Sequence, residues 1–398
     1  MCRNILDDSI LKSHVRKVYV NTIEEDWESE PENGGNFDHG YETDDYEPSL
    51  ETKAQMSLLT QFPLLEHITL RFEKNFTKES GGFYSDYPPQ NLEFRLEVLQ
   101  WFFSSLVASS VRPRSLAFRN IHSIALQDPA MLDLLAQMLH GLRALRLNVS
   151  NQRQNGDYGY VVDNPHTFEQ LPSDWLSPTK STLEHLTLYS NQPFGLFPKL
   201  DLSSIHFPRL KSLALGQYEF FHDDQLDWII SHGPTLRELY LDNCIILHAI
   251  VYSEWEQGHL HRYHPSALSG KWDEVERSLD PRTTRYIYTT RWHDYFAMFR
   301  TGLPLLQHFR IGKSMWCHEF PFEKEREIEI GLFEDRYLTW DGGFHTRSSD
   351  FDIPEELGDI SSCDEEDKDA LLALFQKIGQ NVPEREGGLV CDEQGVWH

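Results

Sequence analysis

One short phrase, apolar-x-x-apolar-x-apolar, returns along this chain and limits what it can fold into. It appears as VRKVYV (15–20), LEHITL (65–70), LRALRL (142–147), LEHLTL (183–188), LKSLAL (210–215), LRELYL (236–241) and LQHFRI (306–311). A weaker copy, PRSLAF (113–118), opens on proline. The intervals between first positions are 50, 48, 29, 41, 27, 26 and 70 residues. The shortest, 26, 27 and 29, set the unit; the longer ones are a unit plus an insertion, or a skipped unit. Self-similarity with a period in the twenties predicts a solenoid, in which each unit covers the apolar face of the next.

The unit can be read between Gly216 and Leu241. LALG (213–216) is a short strand with Leu213 and Leu215 on one face. FHDDQLDWIISHGP (221–234) then predicts a helix. Asp223 or Asp224 is its expected N-cap, Leu226, Ile229 and Ile230 are its apolar stripe, and Gly233 with Pro234 is its stop. Strand, helix and returning strand make a parallel crossover. Helical patterns also precede other copies, over 52–61, 92–109, 128–140 and 291–300, with Asp128–Pro129 opening one and Gly141 closing it. The expected fold class is therefore α/β: an irregular solenoid, mostly parallel sheet, with helices on the convex side.

Some stretches do not fit the unit. Residues 1–23 read as a cap helix and first strand. Residues 24–51 hold twelve Asp and Glu and no Lys or Arg, the composition of an acidic disordered loop. Residues 248–289, rich in Trp, Tyr and His, interrupt the repeats within 52–345. Residues 346–398 form an acidic tail; 350–369 carry ten Asp and Glu, and DALLALFQKIG (369–379) predicts a short amphipathic helix. The formal charge of -27 argues against nucleic acid and anionic membranes as partners. Five widely spaced cysteines without a Cys-x-x-Cys pair fit free thiols in a reducing compartment. Asp7 and Asp8 break any signal-peptide core, and the longest uncharged run, 98–111, is too short to span a bilayer. A cytoplasmic or nuclear protein is expected.

The phrase resembles the leucine-rich repeat, L-x-x-L-x-L-x-x-N/C. Asn191 and Cys244 stand at its N/C position, where the side chain bonds backbone of the adjoining loop, so both are read as structural. The other copies carry Ile23, Glu73, Ile121, Ser150, Tyr218 and Ser314 there. CRNILDDSILKSHVRKVYVN (2–21) before an acidic loop, FPLLEHITL (62–70) and DRYLTWDGGF (335–344) together resemble fungal F-box proteins with divergent leucine-rich repeats. That resemblance implies substrate capture for a Skp–cullin–F-box ubiquitin ligase, with the ligase adaptor as a further partner. No F-box pattern is recognisable in the sequence itself.

Catalytic signatures are absent from the sequence: no Gly-x-Gly-x-x-Gly, Walker loop or Gly-x-Ser-x-Gly. His259, His261 and His264 in HLHRYH read as a polar loop rather than a metal site, and no metal or cofactor is assigned. His222–Asp224 suits a helix cap at least as well as acid–base chemistry, and Trp255, Trp272 and Trp292 suit a core more than a ligand pocket. The informative positions are the three outward residues of each phrase. Among these 24 there are five Lys or Arg and two Asp or Glu, a local excess of positive charge in an acidic chain. The strip of Arg71, Arg119, Arg146, His185, Tyr189, Tyr240 and Arg310 is the expected partner-binding surface, suited to an acidic protein segment. Residues 24–51 or the acidic tail are candidate internal competitors for it. The expectation is a non-enzymatic protein-binding scaffold, the substrate-recognition part of an F-box-type receptor. Two alternatives stay open: a free-standing interaction protein, or a metal-dependent enzyme using the histidine-rich insertion.

Overall fold

The structure, a computed structural model, describes residues 8–23, 48–73, 90–109, 112–122, 126–150, 166–253, 273–275, 283–314, 325–341, 344–346 and 363–381. It is a mixed α/β fold that divides into two compact units, Met1–Asp157 with Val161–Thr179, and Tyr158–Tyr160 with Lys180–His398. All eight phrases form strands, four in each unit.

In the first unit β1 (Lys17–Asn21), β2 (His67–Arg71), β3 (Ser115–His122) and β4 (Ala144–Ser150) make an open, all-parallel sheet. The third residue of each phrase falls in one row: Lys17 opposite His67, His67 opposite Ser115, Ser115 opposite Ala144. Helices precede the strands: α1 (Ser9–Lys12), α2 (Leu50–Leu58), α3 (Leu92–Ala108) and α4 (Pro129–Leu139), followed by α5 (His166–Leu171) after β4. Asn91 caps α3 by accepting from Phe94 N at 2.9 Å, and Phe94, Val98, Phe102 and Leu106 bury one stripe. Phe102, Phe103, Phe118 and Trp175 meet edge to face beneath it, with centroids 5.2–6.4 Å apart.

The second unit repeats this plan and adds to it. β5 (His185–Phe194), β6 (Ser212–Phe220), β7 (Glu238–Asp242) and β11 (His308–Gly312) are parallel, with His185, Ser212, Glu238 and His308 in one row. The end of β6 pairs with β8 (Ile245–Ser253), which carries antiparallel β10 (Thr283–Ile287) and parallel β12 (Tyr337–Asp341). β9 (Asp273–Val275) and β13 (Phe344–Thr346) extend these antiparallel. The chain after Asp242 thus runs straight into a second sheet, where the repeat pattern would place a helix. α6 (Asp223–Ile230) links β6 to β7, and α7 (Trp292–Gly302) leads into β11.

Several local expectations change. The N-cap of α6 is His222, not Asp223 or Asp224: its Nδ1 accepts from Asp224 N at 3.1 Å, and Gln225 completes a reciprocal capping box. The C-terminal helix α8 (Asp364–Ile378) begins five residues earlier than the apolar pattern suggests. Its first turn is Asp364, Glu365, Glu366 and Asp367, and carboxylates there complement the helix dipole. Asp367, at 0 % exposure, accepts from His293 N (2.9 Å), Tyr337 Oη (2.8 Å) and Arg336 Nε (3.0 Å), fastening α8 to α7 and β12. Beyond α8, the Gln380 amide accepts from Phe309 N at 2.9 Å and donates to Phe309 O at 2.8 Å, so one side chain caps part of the β11 edge as a neighbouring strand would. Trp292 is a core residue at 0 % exposure; Trp255 and Trp272 lie outside the described residues.

Past the phrase, three strands turn through left-handed residues two positions on: Asn120 (φ 55°) in the first unit, Gln217 (φ 64°) and Asn243 (φ 50°) in the second. Peptide groups freed at these breaks need other partners. In the first unit Arg95, 1 % exposed, supplies them: Nε donates to Gln90 O at 2.8 Å, Nη1 to Asn120 O and Nη2 to Glu73 O. Gln90, also buried, donates to Thr22 O at 2.8 Å and accepts from Glu73 N at 2.9 Å. Burial lowers the Arg95 guanidinium below its usual range, partly offset by Glu73, yet leaves it charged at neutral pH. Arg95→Met keeps the volume and orphans three carbonyls. It should cost about 3–5 kcal/mol in urea unfolding of the first unit; a loss under about 1 kcal/mol would show that the carbonyls find other donors.

Candidate functional site

The strand face holding the outward phrase positions is the candidate site. In the first unit Arg71 and Arg119 stand directly opposite one another on β2 and β3, one parallel-strand spacing of about 4.8 Å apart. Arg146 lies one row back, opposite Ala117. All three are half-buried. Arginines set in one row suit bidentate pairing with carboxylates.

In the second unit the same face is already covered. Residues 325–332, EREIEIGL, open on a 3-10 turn (Glu325–Glu327) and contact β5, β6, β7 and β11. Thr187 Oγ1 on β5 donates to Glu325 Oε1 at 3.0 Å, and both residues are buried. Arg326 pairs with Glu238 on β7. Ile328, at 0 % exposure, packs on Tyr189, Ala214 and Tyr240. Arg310 Nη1 on β11 donates to Ile328 O at 2.6 Å, and Gly331 N donates to Ile311 O at 2.9 Å.

This corrects part of the expected surface. Tyr189 and Tyr240 are each 2 % exposed; they fill the seam beneath residues 325–332 rather than stand open to a partner. Burial raises both phenols, Tyr240 to about 12. Arg310 is half-buried and spends a guanidinium hydrogen bond on the covering segment. His185 is half-buried beside Glu238. Burial works to raise the Glu238 carboxyl, but hydrogen bonds from Arg326 and Ser212, with further help from the Arg326 and His185 charges, outweigh it and hold it below its ordinary value. The segment on this face carries Glu325, Glu327 and Glu329 with Arg326, and it comes from neither stretch named as a competitor. Residues 24–47, 347–362 and 382–398, which carry most of those stretches, lie outside the described residues.

Two glycines at outward positions make this cover fit, and neither had been given a role. A Cβ on Gly216 would sit 2.1 Å from the Tyr189 ring, so that ring lies flat across β6. A Cβ on Gly312 would sit 1.8 Å from Glu329 O, so only glycine lets the covering backbone come this close to β11. Glycine on the outward side of a strand, where a side chain would otherwise read the solvent, is the sequence signal of a close backbone approach.

The N/C position behaves differently in its two best copies. Cys244 is fully buried, and its thiol donates to Leu215 O at 3.3 Å on the neighbouring strand; burial raises its pKa and keeps the proton in place. Asn191 is exposed in the middle of β5. In β3 the corresponding work falls to Asn120 rather than Ile121, because a bulge between Phe118 and Ile121 shifts the register by one residue. Asn120 Nδ2 donates to Phe72 O at 2.9 Å.

His259, His261 and His264 lie outside the described residues, and among the described residues no three His, Cys, Asp or Glu side chains gather as metal ligands. Cys244 and Cys363 are free thiols. No described helix is long and apolar enough to cross a membrane. No protein-family model matches the chain, and no curated protein is significantly similar to it.

Asp242, an outward position on β7, is 0 % exposed and accepts from Ser314 N at 2.8 Å and from the Ser314 hydroxyl. Burial, only partly offset by these bonds, pushes its carboxyl up to about 6. A carboxyl raised above its unfolded value of 3.8 costs stability as pH climbs from about 4 to about 6, and the cost stays constant above that. Asp242→Asn should therefore unfold like the parent near pH 4 and gain up to about 2–3 kcal/mol over it by pH 7. A stability difference between the two that does not change with pH would contradict this.

Proposed function

We propose that the chain is a protein-binding scaffold, an irregular leucine-rich-repeat-like solenoid with its helices on the convex side, acting as the substrate-recognition part of an F-box-type ubiquitin-ligase receptor. One observation carries the binding reading. The strand face of the second unit holds an acidic segment of the same chain, opening on one 3-10 turn at Glu325–Glu327, by a mixture of carboxylate, apolar and backbone contacts. A face that holds such a segment in one unit supports the use of the equivalent face, with Arg71, Arg119 and Arg146, for a partner's acidic segment in the other. Parallel repeat sheets offer such rows as continuous binding surfaces. The link to a ligase rests on the resemblance of residues 2–21, 62–70 and 335–344 to fungal F-box proteins.

The two parts of the reading are tested separately. A labelled acidic peptide should bind the full chain at low salt. Arg71→Glu with Arg119→Glu should weaken it roughly tenfold or more, as charge-assisted pairs are lost and repulsion replaces them. Unchanged affinity would remove the arginine row from the account. Co-elution of the full chain with the ligase adaptor subunit in size-exclusion chromatography is the expected result for the receptor role; separate elution would overturn the ligase link and leave the scaffold.

A further inference from the structure

A groove of about 1020 Å³ lies in the first unit between the opening turns of α3 and the approach to α4. It does not involve the strand face. Its apolar surface comes from Leu92 and Leu96, four residues apart on one side of α3, and from Leu126 and Met131 opposite. Leu92 is 45 % exposed and Leu96 half-buried, on the side of α3 away from the buried Phe94, Val98, Phe102 and Leu106. The walls are acidic on both sides. Glu93 and Glu97 form the stripe next to the leucines, and Asp128 faces them as the N-cap of α4, accepting from Ala130 N at 3.0 Å. No Lys or Arg is among the described residues that line it. The N-termini of α3 and α4 contribute about half a positive charge each, less than the three carboxylates carry.

We propose that this groove docks a basic amphipathic helix from a partner protein. The chemistry of the occupant follows from the walls. An apolar floor between two acidic rims takes an element with one apolar stripe flanked by cations on both sides, which is a helix with leucine-like residues at i, i+3, i+4 and i+7 and Lys or Arg beside them. From Leu92 to the end of the lining at Gln100 is about 12 Å along α3, matching roughly two turns of such a helix. An acidic or extended partner would place like charges together or leave the leucines uncovered.

The test uses the full chain and a fluorescent helical peptide of about 14 residues made of leucine and lysine in that pattern. Saturable binding with a micromolar dissociation constant at low salt is expected, weakening as salt screens the rims. Glu93→Lys with Glu97→Lys should weaken it roughly tenfold or more while the circular dichroism melt is retained. The second variant, Leu92→Gln, changes an exposed side chain and should also weaken it. Glu365→Lys with Glu366→Lys, in exposed positions of α8, makes the same change in net charge away from the groove and should have little effect. Equal weakening by both charge reversals would mean general attraction to an acidic chain and would overturn the proposal. So would equal binding of a peptide with serine in place of leucine.

Discussion

Parallel strands stacked in register leave one recurring problem, the peptide groups at the point where each strand stops matching its neighbour. Here the strands turn at Asn120, Gln217 and Asn243, and the donors for the freed carbonyls come from inside the protein. Arg95 serves Gln90, Glu73 and Asn120 together; the Cys244 thiol serves Leu215. Because a buried, unmet carbonyl costs more than a made hydrogen bond gains, these few side chains decide whether the register can persist from strand to strand. Everything built on the face, including its rows of outward residues, depends on that register.

Given the register, the face of the second unit is complementary to one particular segment. Gly216 and Gly312 lower the surface, Tyr189 and Tyr240 fill it, and residues 325–332 lie on top. Asp242 is buried and holds Ser314 as the chain leaves β11 toward that segment. Its raised carboxyl is the cost of placing an acid there, and the Ser314 contacts offset only part of it. The outer edge of β11 is completed by side chains too: Asp367 ties α8 to α7 and β12, and Gln380 beyond it completes the hydrogen bonding of Phe309.

The strands and most helices were legible because they follow from local periodicity. The positions of Leu116, Leu145 and Leu213 in a two-residue alternation, and of Phe94, Val98 and Phe102 in a four-residue one, require nothing beyond neighbouring sequence. The parallel register followed too, since equivalent phrase positions pair. What could not be read depends on distant sequence. No pattern near Tyr189 announces that residues some 140 positions later will cover it, and the isoleucine of EREIEIGL looks like any amphipathic alternation. The Asn120 bulge displaced the repeat's polar position by one residue, which a fixed template cannot follow. The acidic start of α8 lies outside the apolar pattern that marks the helix, because carboxylates in a first helical turn serve the dipole rather than the core.

The measurement that bears most directly on this account is hydrogen exchange of the intact chain, read at residues 325–332. If the segment is part of the strand face, the amides around Ile328 and Gly331 exchange as slowly as those of β7 and β11, because opening them requires breaking into the sheet. If they exchange at the rate of an open loop while β7 and β11 stay protected, the face is bare in solution. Tyr189 and Tyr240 would then be exposed, and the covered face could not serve as the pattern for how this chain holds an acidic partner.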